Sequence, residues 1–340
     1  MGLETKKRLQ SKDCLNLFRL LVAIGVMYWH IVRHLSIEIP IIINKTCGYL
    51  PGVPLFFCLS GFLVWPSVGR SSSFGEFIRK RFWRIYPELW GAVLVGSVVI
   101  LLLYDSSIEW GDFMLFNLAQ ATFLQFWTPD FLRGYGCGTP NGALWTITVI
   151  VQFYLISFGL YKLVYNKNKL WLILLIMSIL FAFSHNYIVE MLPVIMGKIY
   201  SCTVIPYLWM FLMGAFLSEK KDYCLAFLKK YWFLFPVIAF LGRFFSIDFA
   251  VNHYYHFFYT IFSFIGIIGF AYRFPMFNLK TDISYAVYVY HMVVVNAFIE
   301  FGFTQKLYYF FIIFVITFML AYVSTITVGQ WGLKRKEVKS

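Results

Sequence analysis

Stretches of about twenty apolar residues, separated by short charged segments, recur along the whole chain and leave few folds open. A run of that length crosses the hydrocarbon core of a bilayer as a helix. Lipid offers no hydrogen-bond partner to a bare backbone, so such a segment must satisfy its own. Ten stretches qualify: residues 14–34, 49–67, 86–104, 141–162, 170–185, 200–218, 231–246, 254–272, 283–302 and 307–329. The expected fold is all-α, a polytopic transmembrane helical bundle of about ten spans. At 60% hydrophobic and 13% charged residues, with a mean hydropathy of +0.72, the chain is more apolar than a soluble domain can be. No segment between spans is long enough to fold alone, so residues 1–340 are expected to form one integral membrane domain.

The net charge of +13 is an orientation signal. The N-terminus, 68–85, 162–169, 219–230, 273–282 and the C-terminal tail hold 22 of the 29 Lys and Arg residues. The opposite set holds six: Arg33, Lys45, Arg133, Lys198, Arg243 and Lys306. By the positive-inside rule the first set is cytoplasmic. Both tails, 1–13 and 330–340, are then cytoplasmic, and a nucleic-acid partner is not expected. The first apolar stretch is too long for a cleavable signal peptide and carries Arg19.

Arg19 and His30 both lie inside that first span, with ten residues between them. Ionisable groups at membrane depth are costly and mark function by default. Eleven helical steps separate the two by about 16 Å along the axis, so one helix carries a fixed cation and a titratable base at two depths. A lone intramembrane histidine can also simply bond a neighbouring helix.

Other candidates follow along the chain. FIRKRFWRIYPELW (77–90) combines Arg79, Lys80, Arg81 and Arg84 with aromatics, and Pro87 is expected to start a helix. Arg81 and Arg84 share a helix face, and paired guanidiniums suit phosphate oxygens. The plain alternative is a basic anchor to anionic lipid. In PGVPLFFCLSGFLVWP (51–66), Ser60 and Gly61 allow close helix approach. Trp145, Thr146, Gln152 and Tyr154 interrupt the apolar run 141–155. In DISYAVYVYHM (282–292), Ser284, Tyr288 and His291 fall on one helix face. The outer segment 105–140 includes FMLFNLAQATFLQFW, expected as an interfacial or re-entrant helix. It serves either as an acceptor site or lid, or as a connector lying on the bilayer. The six cysteines show no metal-ligand spacing, and no metal is expected. Cys47 and Cys137, both on the outer side, are a possible pair.

Together these residues resemble the acyltransferase-3 family of integral membrane acyltransferases, over nearly the whole chain. The marks are Arg19 and His30, LFFCLSGFL (55–63), RKRFWRIYP (79–87), LWTITVIVQFYL (144–155) and ISYAVYVYH (283–291). The resemblance implies transfer of an acetyl group from cytoplasmic acetyl-CoA, a co-substrate, to a hydroxyl of an extracytoplasmic glycan. That acceptor is expected to be lipid-linked O-antigen or a related surface polysaccharide, and the location a bacterial cytoplasmic (inner) membrane. It implies His30 and Arg19 as catalytic and Arg79, Arg81 and Arg84 as donor-binding. Ser60, Trp145, Gln152, Tyr154, Ser284, Tyr288 and His291 are expected to support them. Members with an appended extracytoplasmic hydrolase-like domain exist; none is expected here. One position departs from the family pattern: Ile150 stands where an acidic residue is usual, five positions after Trp145. Glu88 or Asp282 could substitute, or activity could be reduced.

In the expected mechanism the phosphates of acetyl-CoA meet the arginines and its pantetheine arm threads inward. His30 acts as base on the sugar hydroxyl, or carries the acetyl group itself. The competing readings are a transporter or flippase and a catalytically silent relative that only binds. A transporter would be expected to show internal repeats or matched broken helices; the sequence suggests neither.

Overall fold

In a computed structural model, residues 13–41, 43, 44, 52–245, 247 and 256–337 are described, and among them there is no β-strand. In chain order the helices are α1 (Leu15–His34), α2 (Gly52–Gly69), α3 (Phe74–Leu103), α4 (Trp110–Ala121) and α5 (Trp145–Val164). Then come α6 (Asn168–Phe183), α7 (His185–Met191), α8 (Val194–Ser201), α9 (Leu208–Glu219), α10 (Lys221–Tyr231) and α11 (Leu234–Phe244). The last are α12 (Phe257–Arg273), α13 (Ser284–Glu300), α14 (Leu307–Ser324) and α15 (Gln330–Glu337). Cys47 and the predicted tail 1–13, apart from Asp13, lie outside the described residues.

Among the described residues five helices are long and apolar enough to cross a membrane: α1, α2, α3, α5 with its lead-in from Gly142, and α14 with its continuation to Arg335. Three further stretches are bent helix pairs. α6 and α7 meet at 51°, α8 and the Ile205–Glu219 segment at 43°, and α10 and α11 at 73°. Counting each pair as one span gives up to eight. The bends fall near the ends of the expected stretches 170–185, 200–218 and 231–246. Pro206 sits in the turn at the second of these bends, and proline cannot donate the backbone bond that continues a helix. All three breaks fall in one half of the chain, so they form no matched set.

The start of α3 is also corrected. It begins at Phe74, with Pro87 inside it. The Ser73 side chain accepts from the Glu76 amide at 3.2 Å. Glu76 Oε2 in turn accepts from the Ser72 amide and hydroxyl at 2.7 and 2.6 Å. This reciprocal cap starts a helix in charged sequence, where an apolar window cannot see it. All four basic residues from Arg79 to Arg84 therefore ride on the spanning helix.

α2 and α9 cross backbone to backbone. A Cβ at Gly61 would overlap the Phe211 carbonyl, and one at Gly214 the Cys58 carbonyl. Small residues let membrane helices approach this closely, which bears out the packing role expected at Gly61. At the end of α9, Glu219 Oε2 accepts from the indoles of Trp65 and Trp171 at 3.1 and 3.2 Å. α13 is buried along most of its length, against α1, α3 and α14.

The segment 105–140 folds back along the bundle on both limbs. α4 folds back along α3: Asn117 bonds Ser97, and the Trp90 indole donates to Ala121 O at 2.9 Å. Trp90 is thirteen residues before the end of α3, about 20 Å of helix. Trp110, Met114, Leu115 and Leu118 face outward while Phe113 and Phe116 pack inward. The return limb descends along α13. Glu300 accepts from the Gly136 amide at 2.5 Å, Asn296 Oδ1 accepts from the Cys137 amide at 2.9 Å, and Asn141 Nδ2 donates to Val289 O at 2.8 Å. Asn296 Nδ2 also donates to the carbonyls of Thr139 and Pro140 at 3.0 and 2.8 Å. Irregular backbone at this depth needs such partners. Asn296→Ala removes the side-chain partner of the Cys137 amide and of the Thr139 and Pro140 carbonyls and should cost about 1–3 kcal/mol, read as faster proteolysis within 130–141. Unchanged cleavage would mean the limb is held elsewhere.

Candidate active site

One cavity of about 250 Å³ opens between α1, α2, α3, α5 and α13. Its charged wall is Arg19 from α1 with Arg81 and Arg84 from α3. Tyr154, Ser60, Ser284 and Tyr285 add polar groups, and Phe56, Leu59, Ile147 and Ile150 form an apolar wall. Thr146, in the first turn of α5, and Tyr288, one turn into α13, complete the lining. Arg81 with Arg84, and Ser284 with Tyr288, line the same space, while His291 of the expected Ser284–Tyr288–His291 face does not.

Asp282, at the foot of α13, organises the cations. Its Oδ2 accepts from Arg19 and, at 3.0 Å, from Arg84 Nη2. Its Oδ1 accepts from the amide and hydroxyl of Ser284 at 3.1 and 2.5 Å. Burial pushes the Asp282 carboxyl up, but the guanidiniums of Arg19 and Arg84 and the Ser284 bonds outweigh it and hold it below its ordinary value. Arg81 has no carboxylate partner among the described residues. Its guanidinium lies 5.5 Å from the Phe77 ring and 5.6 Å from the Tyr154 ring, and its Nε is buried without a hydrogen bond. Three guanidiniums thus face a cavity with one carboxylate among them, which suits an anionic group.

Position 150 faces this cavity as an isoleucine. Of the two acids considered as substitutes, Asp282 pairs with the cavity arginines. Glu88 is buried and packs against Gly329, in the π-turn between α14 and α15; it does not line the cavity.

At the far end, the Tyr288 hydroxyl donates to Ala143 O at 2.8 Å and lies 2.7 Å from Thr146 Oγ1. The Tyr288 ring is 5.8 Å from the His291 ring, and His291 stacks on His30 with centroids 5.0 Å apart and Nδ1 of His30 2.7 Å from His291 Nε2. His291 is fully buried, while His30 is half-buried. One tyrosine ring therefore separates the arginine-lined cavity from a pair of imidazoles.

Three expected site residues stand apart. Arg79 does not line the cavity. Trp145 packs on Phe57 and Tyr207. Gln152 holds the break before α9, donating to Cys202 O at 2.8 Å and accepting from the Val204 amide at 3.1 Å. Asn141, Asn296 and Glu300 were not singled out from the sequence, since a polar residue at a helix end carries no record of the loop it will bond. Cys137 lies on the return limb with a free thiol that burial pushes up, which makes it a poor nucleophile. Among the described residues no cluster of His, Cys, Asp and Glu could hold a metal ion.

Residues 12–326 match the family described as an acyltransferase domain. Nodulation protein 10 of Rhizobium leguminosarum bv. viciae is 27% identical over 98% of this chain and 96% of its own length. Acyltransferase MdmB of Streptomyces mycarofaciens is 30% identical over 35% of this chain and 30% of that protein. No solved structure matches. With its motifs, its helical membrane architecture and this match across nearly its full length, the chain belongs to the acyltransferase-3 family.

Proposed function

We propose that this membrane acyltransferase moves an acetyl group from acetyl-CoA to a hydroxyl of an extracytoplasmic glycan, a lipid-linked O-antigen or related surface polysaccharide. The observation that carries the reading is the single cavity joining three guanidiniums to a tyrosine one ring away from the imidazole pair. Arg81, with no carboxylate partner, binds donor phosphate first, and Arg84 and Arg19 complete the site around Asp282. The apolar wall takes the pantetheine arm. His30 removes the proton from the sugar hydroxyl as its oxygen attacks the thioester carbonyl. The carbon–sulfur bond breaks, and His30 returns the proton to the CoA sulfur. Ser60, Tyr154, Ser284 and Tyr288 shape the passage.

In the same reading the bundle lies in a bacterial inner membrane. The five long helices, three bent pairs and the seventeen-residue helices α12 and α13 make ten spans. The charge asymmetry keeps both termini cytoplasmic and puts 105–140 on the outer side, dipping back towards the imidazoles. One domain does the whole reaction.

The test is reconstitution in vesicles with acetyl-CoA and a purified lipid-linked glycan, read as the mass of the repeat unit. A gain of one acetyl group is expected; no gain with any envelope glycan, with the donor still bound, would instead favour the silent relative that Ile150 allows. Arg81→Leu should raise KM for acetyl-CoA by roughly 10- to 100-fold, the worth of a charge-assisted bond. An unchanged KM would remove Arg81 from the donor site.

A further inference from the structure

We infer that His291 is a positioning residue that sets the tautomer of His30, so that Nε2 of His30 is the nitrogen that takes the substrate proton. The inference rests on His30 being the base and adds which nitrogen acts and what selects it.

The argument follows the protons. Nδ1 of His30 and Nε2 of His291 are 2.7 Å apart, so one proton lies between them and one ring must offer a lone pair. The other nitrogen of His291, Nδ1, lies 3.3 Å from the carbonyl oxygen of Val287, one helical turn back. A carbonyl can only accept, so His291 Nδ1 carries the hydrogen. No carboxylate hydrogen-bonds either ring among the described residues. A fully buried and unpaired imidazolium would be costly, so His291 rests neutral and its Nε2 is bare. His30 must then donate from Nδ1, which leaves Nε2 of His30 with the free lone pair. The chain of donors runs from His30 Nδ1 through His291 to the backbone of α13.

The direction matters because a neutral imidazole has two tautomers and only one exposes a base at Nε2. The same logic governs a triad, where an acceptor on Nδ1–H fixes the ring and the wrong tautomer loses most of the rate. Here the acceptor is a second histidine. When His30 takes the proton at Nε2, its Nδ1–H still faces a lone pair. When it gives the proton to the CoA sulfur, the pair returns to its starting arrangement. No proton crosses between the rings. α1 and α13 are separated by 261 positions at this contact, so the packing of the two helices builds the base.

The experiment compares His291→Leu, which removes the acceptor, with His291→Gln, whose side-chain oxygen can accept the same proton. In vesicles with acetyl-CoA and glycan, His291→Leu should lower kcat by about 100-fold or more with KM for acetyl-CoA unchanged, and His291→Gln should recover most of it. The ¹⁵N spectrum of histidine-labelled protein should show His30 Nε2, assigned by its absence in His30→Ala, as an unprotonated nitrogen that loses this character in His291→Leu. Equal damage from Leu and Gln, or a protonated Nε2 in the parent protein, would overturn the inference. So would a normal kcat in His291→Leu while His30→Ala is inactive. Full turnover in His30→Ala would instead defeat the reading of His30 as the base.

Discussion

Replacing His30 by alanine lowers acetyl transfer by about 10²- to 10⁴-fold, the usual contribution of a positioned general base. KM for acetyl-CoA should stay near the parent value, because the arginines line a cavity that His30 does not, on the other side of the Tyr288 ring and His291. The ring is half-buried, and its loss leaves the fully buried His291 without its partner. That costs about 1–3 kcal/mol, which a helical bundle of this size should survive. Single-turnover transfer from labelled acetyl-CoA in vesicles, with a melting curve on the same sample, separates lost chemistry from lost fold. A folded variant with parent-like turnover would remove His30 from the reaction.

Asp282 is the other position where one side chain controls much. A single carboxylate holds Arg19 and Arg84 together, so Asp282→Ala leaves two guanidiniums close to each other and uncompensated. Breaking a buried pair costs about 3–5 kcal/mol. With side chains 19–32% exposed, the lower end, about 3 kcal/mol, is expected. Donor binding should fall too, since both arginines lose their orientation. Changing Arg19→Met together with Asp282→Leu should regain part of the stability and none of the donor affinity. If instead the single and double variants are equally stable, the ion pair is not what holds the foot of α13. Because the native carboxyl titrates below its ordinary value, its contribution is present above about pH 4 and lost as the pH falls through the native value. Asp282→Asn should therefore flatten the acid limb of the stability curve.

Much of the site was legible before any coordinates. Arg19, Arg81, Arg84, Ser60, Tyr154, Ser284 and Tyr288, each named from the sequence, line one cavity. What misled was polar side chains whose partners are backbone: Gln152 looked like a site residue and instead ties down the break before α9. Windows of hydropathy also misplaced α3, whose first turns are charged and capped by Ser73 and Glu76. The bends between α6 and α11 lie in or beside apolar sequence, where a hydropathy window does not register a change of direction.

The sequence by itself determined the helical membrane class, the family, and which residues share a helix face. Those properties follow from local quantities, the hydropathy of a twenty-residue run and the 3.6-residue period. Only the tertiary structure decided that Asp282 binds two arginines 263 and 198 positions away. It alone decided that the segment 105–140 turns back along α3 and α13, and that His30 stacks on His291. Such pairings depend on how whole helices pack and cross, at Gly61 against Phe211 or Gly214 against Cys58. No local stretch of residues carries that information.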